Sequence, residues 1–175
     1  GRDAAARLYR ELANAEGPTR HAALNGLIET AGDRTAARII REALAGTDPG
    51  ARAVALAQVP RISRAALRGL LAGLPDLLPP AQAALLGAVA TRGDRTALRA
   101  VRAAAEGVEP EVKAAALRAL GKVGDASVLP MLVGVWQAGG DPAGAAREGL
   151  ANLRARGIDR ELTALMAGAP DPARQ

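Results

Sequence analysis

Apolar side chains recur along this chain at helical spacing, and the recurrence itself repeats about every 31 residues. Leu24 and Ile28, Leu117 and Leu120, and Leu150 and Leu153 lie three or four apart, the interval of one helix face, and no alternating strand pattern occurs anywhere. A second set is aligned just as regularly: Ala37, Ile40 and Leu44; Leu98, Val101 and Ala105; Leu129, Leu132 and Trp136. Each triplet runs i, i+3, i+7, one buried stripe, so all nine residues, Trp136 included, are predicted to face the core. Prolines divide the sets. Pro18, Pro49, Pro79, Pro110 and Pro142 are 31, 30, 31 and 32 residues apart, and Pro172 follows 30 residues later. Proline suits the first helical position, where its missing N–H has no partner to lose. Gly-Asp pairs at Gly32-Asp33, Gly93-Asp94 and Gly124-Asp125 stand fourteen residues after their prolines. There the glycine is predicted to end the first helix at positive φ, and the aspartate to cap the second.

Each unit thus reads as two helices, and a pair of about 30 residues cannot bury its apolar stripe without a neighbour. The predicted units are 17–47, 48–77, 78–108, 109–140 and 141–170. A half repeat over 1–16, with Leu8 and Leu12, precedes them, and 171–175 starts another, as in a piece of a longer protein. The second unit departs from the pattern. Pro60 falls in the last turn of its first helix, predicting an early stop and a local change of curvature, and Ser63-Arg64 replaces Gly-Asp. The fifth carries an extra residue before Gly157, and Pro130 falls in the first turn of a second helix.

The segment PEVKAAALRALGKVGD at 110–125 resembles the consensus of short bacterial HEAT-like repeats, the type also found in phycobilisome lyases. The stretches RHAALNGL, LPPAQAALLGAVATRGDRTAL and LRALGKVGDASVLPML are similar to multi-repeat HEAT proteins of planctomycete-like bacteria. The resemblance implies an all-α, right-handed α-solenoid with a scaffold or binding role. It also favours an extracytoplasmic, periplasmic setting over a cytoplasmic one, because such proteins are commonly exported; the residues themselves fit either compartment. Lyases of this fold work with paired subunits and a chromophore pocket, and no aromatic-lined pocket is legible in this chain.

Composition narrows the chemistry. Forty-four of the 175 residues are alanine, and Tyr9 and Trp136 are the only aromatics, so helices must approach closely to fill a core. With no cysteine there is no disulfide and no thiolate metal site. One histidine, His21, cannot build a histidine-rich metal centre. Neither serine, Ser63 or Ser127, sits in a nucleophile elbow, and Ser127 opens a helix, where serine normally caps. The carboxylates Glu29, Asp33, Asp94 and Asp125 are explained by capping at helix junctions. No cofactor, no metal and no enzyme activity are expected. No apolar run reaches the roughly 20 residues of a membrane span.

The charge is uneven. The net charge is +5, but from Arg34 to Arg102 it is +7. Arg34, Arg38 and Arg41 recur as Arg95, Arg99 and Arg102 one helix set later, with Arg64 and Arg68 between. The second helices of HEAT-like solenoids line the concave surface, so these eight arginines are predicted to form a ladder there. An acidic or extended protein partner fits such a ladder, with Arg38, Arg68 and Arg99 at its centre. The alternative is sequence-independent binding of a nucleic-acid backbone by the same residues, although the aromatic platforms of single-strand binders are missing. The chain is expected to be a monomer or to associate weakly end to end.

Overall fold

Proline in the first turn opens every first helix, and side-chain caps from Asp48, Ser63, Asp94 and Asp125 fix several of the helix and turn starts. The computed structural model describes residues 17–153 together with Arg7, Glu11 and Leu12. Leu8, Tyr9, the positions after Leu153, Gly157 and Pro172 therefore lie outside the described residues. The helices are α1 (Gly17–Thr30), α2 (Asp33–Ala45), α3 (Pro49–Gln58), α4 (Arg64–Ala72), α5 (Pro79–Arg92), α6 (Leu98–Glu106), α7 (Pro110–Val123), α8 (Leu129–Ala138) and α9 (Pro142–Asn152). Among the described residues there is no strand, and the only other elements are single 3-10 turns at Leu74–Asp76, Arg95–Ala97 and Ala126–Val128. The first helices α1, α3, α5, α7 and α9 stack in series, and each of α2, α6 and α8 packs against the first helix that follows it. This is an α-solenoid.

The apolar register holds almost throughout. Ile40, Val101 and Leu132 are each 0% exposed, and they sit in one continuous core with Leu44, Leu67, Leu85, Leu117 and Leu120. Trp136 corrects the prediction, because 49% of its surface is exposed. Its counterparts Leu44 and Ala105 fill their slot with aliphatic atoms. An indole in the last turn of α8 exceeds that space, and no second helix follows α8 among the described residues.

The junction glycines also divide. Gly93 ends α5 at φ +66°, as predicted, but Gly32 and Gly124 have φ −71° and −74° and need no left-handed backbone. At Gly124 the requirement is space, since a Cβ would come 2.3 Å from the Leu120 carbonyl oxygen. Asp94 and Asp125 cap as expected, accepting the N–H groups of Thr96 and Ser127 and both hydroxyls. Ser127 is thus a donor to the cap, while Ser63 is itself the cap of α4. Asp33 does not cap: its carboxylate accepts the Ser63 hydroxyl at 2.5 Å from the next repeat. Glu29 is no cap either: its carboxylate accepts hydrogen bonds from the side-chain amides of Asn25 and of the buried Gln58 of α3.

Pro60 shortens α3 to ten residues, against fourteen in α1, α5 and α7. The carbonyls left open around it are collected from the next repeat. The Arg92 guanidinium donates to the oxygens of Val59 at 3.0 Å, Pro60 at 3.2 Å and Ile62. At the α7–α9 crossing the two backbones come close together. A Cβ on Gly121 would lie 2.4 Å from the Gly149 oxygen, and one on Gly149 would lie 2.4 Å from the Leu117 oxygen.

Candidate functional site

The eight arginines singled out from the sequence all lie on second helices or their first turns, but their surroundings differ. Arg38 donates to Glu42 at 2.8 Å and Arg102 to Glu106 at 3.4 Å, each one turn along its own exposed helix face. Arg64 reaches across a repeat to Asp94 at 3.3 Å, and Arg95 faces Asp125 in the next junction. Arg41 is half-buried over Gly73, whose missing side chain makes room for it: a Cβ there would meet Nη1 at 2.5 Å. Arg34, Arg68 and Arg99 are exposed and have no ion-pair partner among the described residues. The ladder is therefore not eight free cations.

Asp94 is the electrostatic centre of the middle repeats. Its side chain is only 9% exposed, between Arg64 and Arg92. The Thr96 backbone N–H holds its pKa down to about 2, helped by the Thr96 hydroxyl and the two arginines. Asp125 is lowered first by the Ser127 hydroxyl, and Asp48, the cap of α3, first by the Ala51 N–H and then by His21. His21 lies 3.2 Å from Asp48 and flat against Gly50, where a Cβ would clash with the ring. These groups tie one repeat to the next. Among the described residues no three His, Asp or Glu side chains gather closely enough to hold a metal ion.

Arg68 and Arg99 meet at a groove of about 880 Å³ between α4 and α6. Its origin is local. Helix α4 ends early at Ala72, and the Leu74–Asp76 turn follows, its Leu74 side chain buried along with nearby Leu77. Helix α4 packs on the Arg95–Ala97 turn that leads into α6, and beyond that turn the groove opens. One wall carries Arg68, Leu71 and Ala72; the other carries Arg99, Ala100, Ala103 and Ala104. The groove has two unlike ends. Thr96 and Arg99 stand at the start of α6 and Arg68 midway along α4, whereas Leu71, Leu74, Ala104 and Val108 stand at or beyond the ends of those two helices, with Val112 from the first turn of α7. Val108 is 90% exposed at the lip, and Glu109 is the carboxylate among the lining residues.

Sequence reasoning placed Arg68 and Arg99 on one surface but did not find the groove. The Gly73–Leu78 linker was the available signal, because Gly-Leu-Pro there replaces a regular helix end. Arg92 also went unnoticed, since its target is backbone thirty residues earlier.

Antiparallel helical pairs stacked on a shared core put this protein in the class of α-solenoid repeat proteins. Residues 67–151, about half of the chain, match the family model of HEAT repeats, and the helical architecture is consistent with that match. No curated protein matches the chain. HEAT repeats in general are a scaffold fold that mediates protein–protein interaction. No described helix is long and apolar enough to cross a membrane.

Proposed function

We propose that this chain is a non-enzymatic protein-interaction scaffold whose second-helix face, the concave side of the superhelix, holds an acidic or extended partner. The observation that carries the reading is the α4–α6 groove, where two arginines without ion-pair partners flank an apolar floor. Interfaces are marked by arginine and apolar anchors in pockets and by a polar rim, and this groove has each of these. The repeat's likeness to the phycobilisome-lyase type and to proteins of planctomycete-like bacteria supports the scaffold role and carries no lyase chemistry. Its units are the five repeats, 17–47 to 141–170, with flanking half-units.

The test is capture by the immobilised chain from an extract of its own cell, followed by mass spectrometry. The Arg68→Glu/Arg99→Glu variant is expected to fold normally, since both sites are exposed, and to lose the captured protein. Arg38→Glu, run separately, asks whether the contact reaches α2. Retention by both variants would retire this face as the interface. The same preparations titrated with labelled duplex and single strands at two ionic strengths settle the phosphate-backbone alternative, which requires binding that weakens steeply with salt.

A further inference from the structure

We infer that the α4–α6 groove takes one polarised peptide segment of a protein partner, with carboxylates at its Arg68–Arg99 end and apolar side chains at its Leu74–Val108 end. The inference rests on the interaction reading above and names the occupant of that site. Charge complementarity carries it. Arg68 and Arg99 stand on opposite walls, Arg99 in the first turn of α6 and Arg68 midway along α4, a turn before Leu71 and Ala72, and neither is neutralised by a carboxylate among the described residues. Their neighbours Arg38, Arg64 and Arg102 are all paired, and half-buried Arg41 lies over Gly73, outside the groove lining. An isolated pair of cations at one end of an apolar cleft calls for one or two anionic groups at that end, not for a continuous polyanion.

The other end calls for apolar side chains. Ala72, Ala100, Ala103 and Ala104 are small, so a second backbone can approach both walls closely. Leu71, Leu74 and Val112 are buried beneath, and exposed Val108 extends the apolar surface beyond the groove. A peptide laid along the groove with acidic residues first, or an amphipathic helix with an acidic first turn, matches both ends in a single orientation. Its reverse would set carboxylates against Val108 and Glu109 and leave the arginines unmet. A detergent-like anion has the same head-and-tail chemistry. However, small-molecule sites enclose most of their ligand, and here Arg68, Ala72, Pro75, Arg99, Ala103, Gly107 and Val108 are all exposed. An open trough suits a peptide whose other face belongs to a larger partner.

The experiment uses the full chain and fluorescein-labelled peptides read by anisotropy. The probe has two glutamates followed by an Ala-Leu-Leu-Ala-Leu stretch; its controls are the reversed order, an all-acidic peptide and an all-apolar one. The probe should bind at least ~10-fold more tightly than any control, since one such step is about 1.4 kcal/mol. Arg68→Glu and Arg99→Glu should each weaken it ~10-fold or more, and Ala103→Glu should do so from the apolar side, while Arg34→Glu leaves it unchanged. Equal binding of the reversed peptide overturns the polarity. Displacement of the probe by dodecanoate at lower concentration than by unlabelled peptide overturns the peptide as occupant. Absence of probe binding at millimolar peptide overturns the groove. If captured partners are lost through Arg34→Glu or Arg38→Glu but kept by Arg68→Glu/Arg99→Glu, the scaffold reading stands and the groove falls alone.

Discussion

Replacing Gly121 by alanine adds one methyl group to the α7–α9 crossing, and the structure fixes what that methyl meets. Its nearest neighbours would be the Gly149 oxygen at 2.4 Å and the Gly149 Cα at 2.9 Å, both backbone. Ordinary carbon contacts stand at about 3.5–4.0 Å, so the two helices must part by roughly 1 Å. No side chain can rotate away to avoid it. Overpacking of this kind costs about 1–3 kcal/mol, against a helix-propensity gain of about 1 kcal/mol for Gly→Ala. Because the obstacle is main chain, the upper part of that range applies, and a net loss of ~2 kcal/mol is expected. Gly134→Ala in α8 and Gly87→Ala in α5 are the controls, since a Cβ there meets nothing within 4 Å. They should gain about 0.5–1 kcal/mol from propensity alone. Thermal unfolding followed by far-UV circular dichroism should place Gly121→Ala about 4–8 °C below the parent and the controls slightly above it. Hydrogen exchange should show the loss concentrated in α7 and α9, because solenoid stability is a sum of local terms. Equal midpoints for Gly121→Ala and Gly134→Ala would refute the reasoning.

Four further outcomes follow from the same contacts. Arg92→Met should destabilise by about 2–3 kcal/mol in urea unfolding, because it orphans carbonyls around Pro60 that only a charged donor reaches. Asp94 has its folded pKa depressed to about 2 from an ordinary 3.8, so its contribution is complete above the ordinary value and lost as pH falls through 4 toward 2. Asp94→Asn should flatten that limb of the stability–pH curve, and an unchanged limb would assign it to other carboxylates. Leu132→Ala, wholly buried, should cost about 2–5 kcal/mol, whereas Trp136→Ala should cost under about 1. Trp136 is the only tryptophan, so its fluorescence should be red-shifted from that of a buried indole and open to acrylamide quenching.

Periodicity made the fold legible because each repeat writes the same local rules. Proline at the helix head, Asp94 and Asp125 at the caps, and the Ile40, Val101 and Leu132 register are all decided within a few residues of chain. Pro60 announced its own early stop. What stayed hidden depends on contacts between repeats. Gly32 and Gly124 share the Gly-Asp motif with Gly93, yet their φ angles differ, because space rather than handedness constrains Gly124. Trp136 occupies a core position by alignment, but an alignment does not carry the size of the slot. The arginine row was readable as a row; which members are spoken for was not, since Asp94 lies thirty residues from Arg64. The groove is likewise a gap between helices from different repeats, and no local pattern encodes a gap.

The sets of contacts that join successive repeats differ from step to step, although an Arg–Asp contact recurs at two of them. His21 with Asp48 and Asn25 with Gln58 bind the first to the second; Arg64 with Asp94 and Arg92 with three carbonyls bind the second to the third. Arg95 facing Asp125 serves the next boundary, and Arg118 with Glu148, Lys122 with Asn152 and the paired glycines serve the last. Units of near-identical shape are thus keyed like the pins of different locks. A recombination event that dropped or swapped one unit would preserve every helix and still bring strangers face to face, with the Arg92 guanidinium arriving at a turn that offers it nothing. The order of the units is therefore part of what selection can hold fixed, even where their outlines are interchangeable.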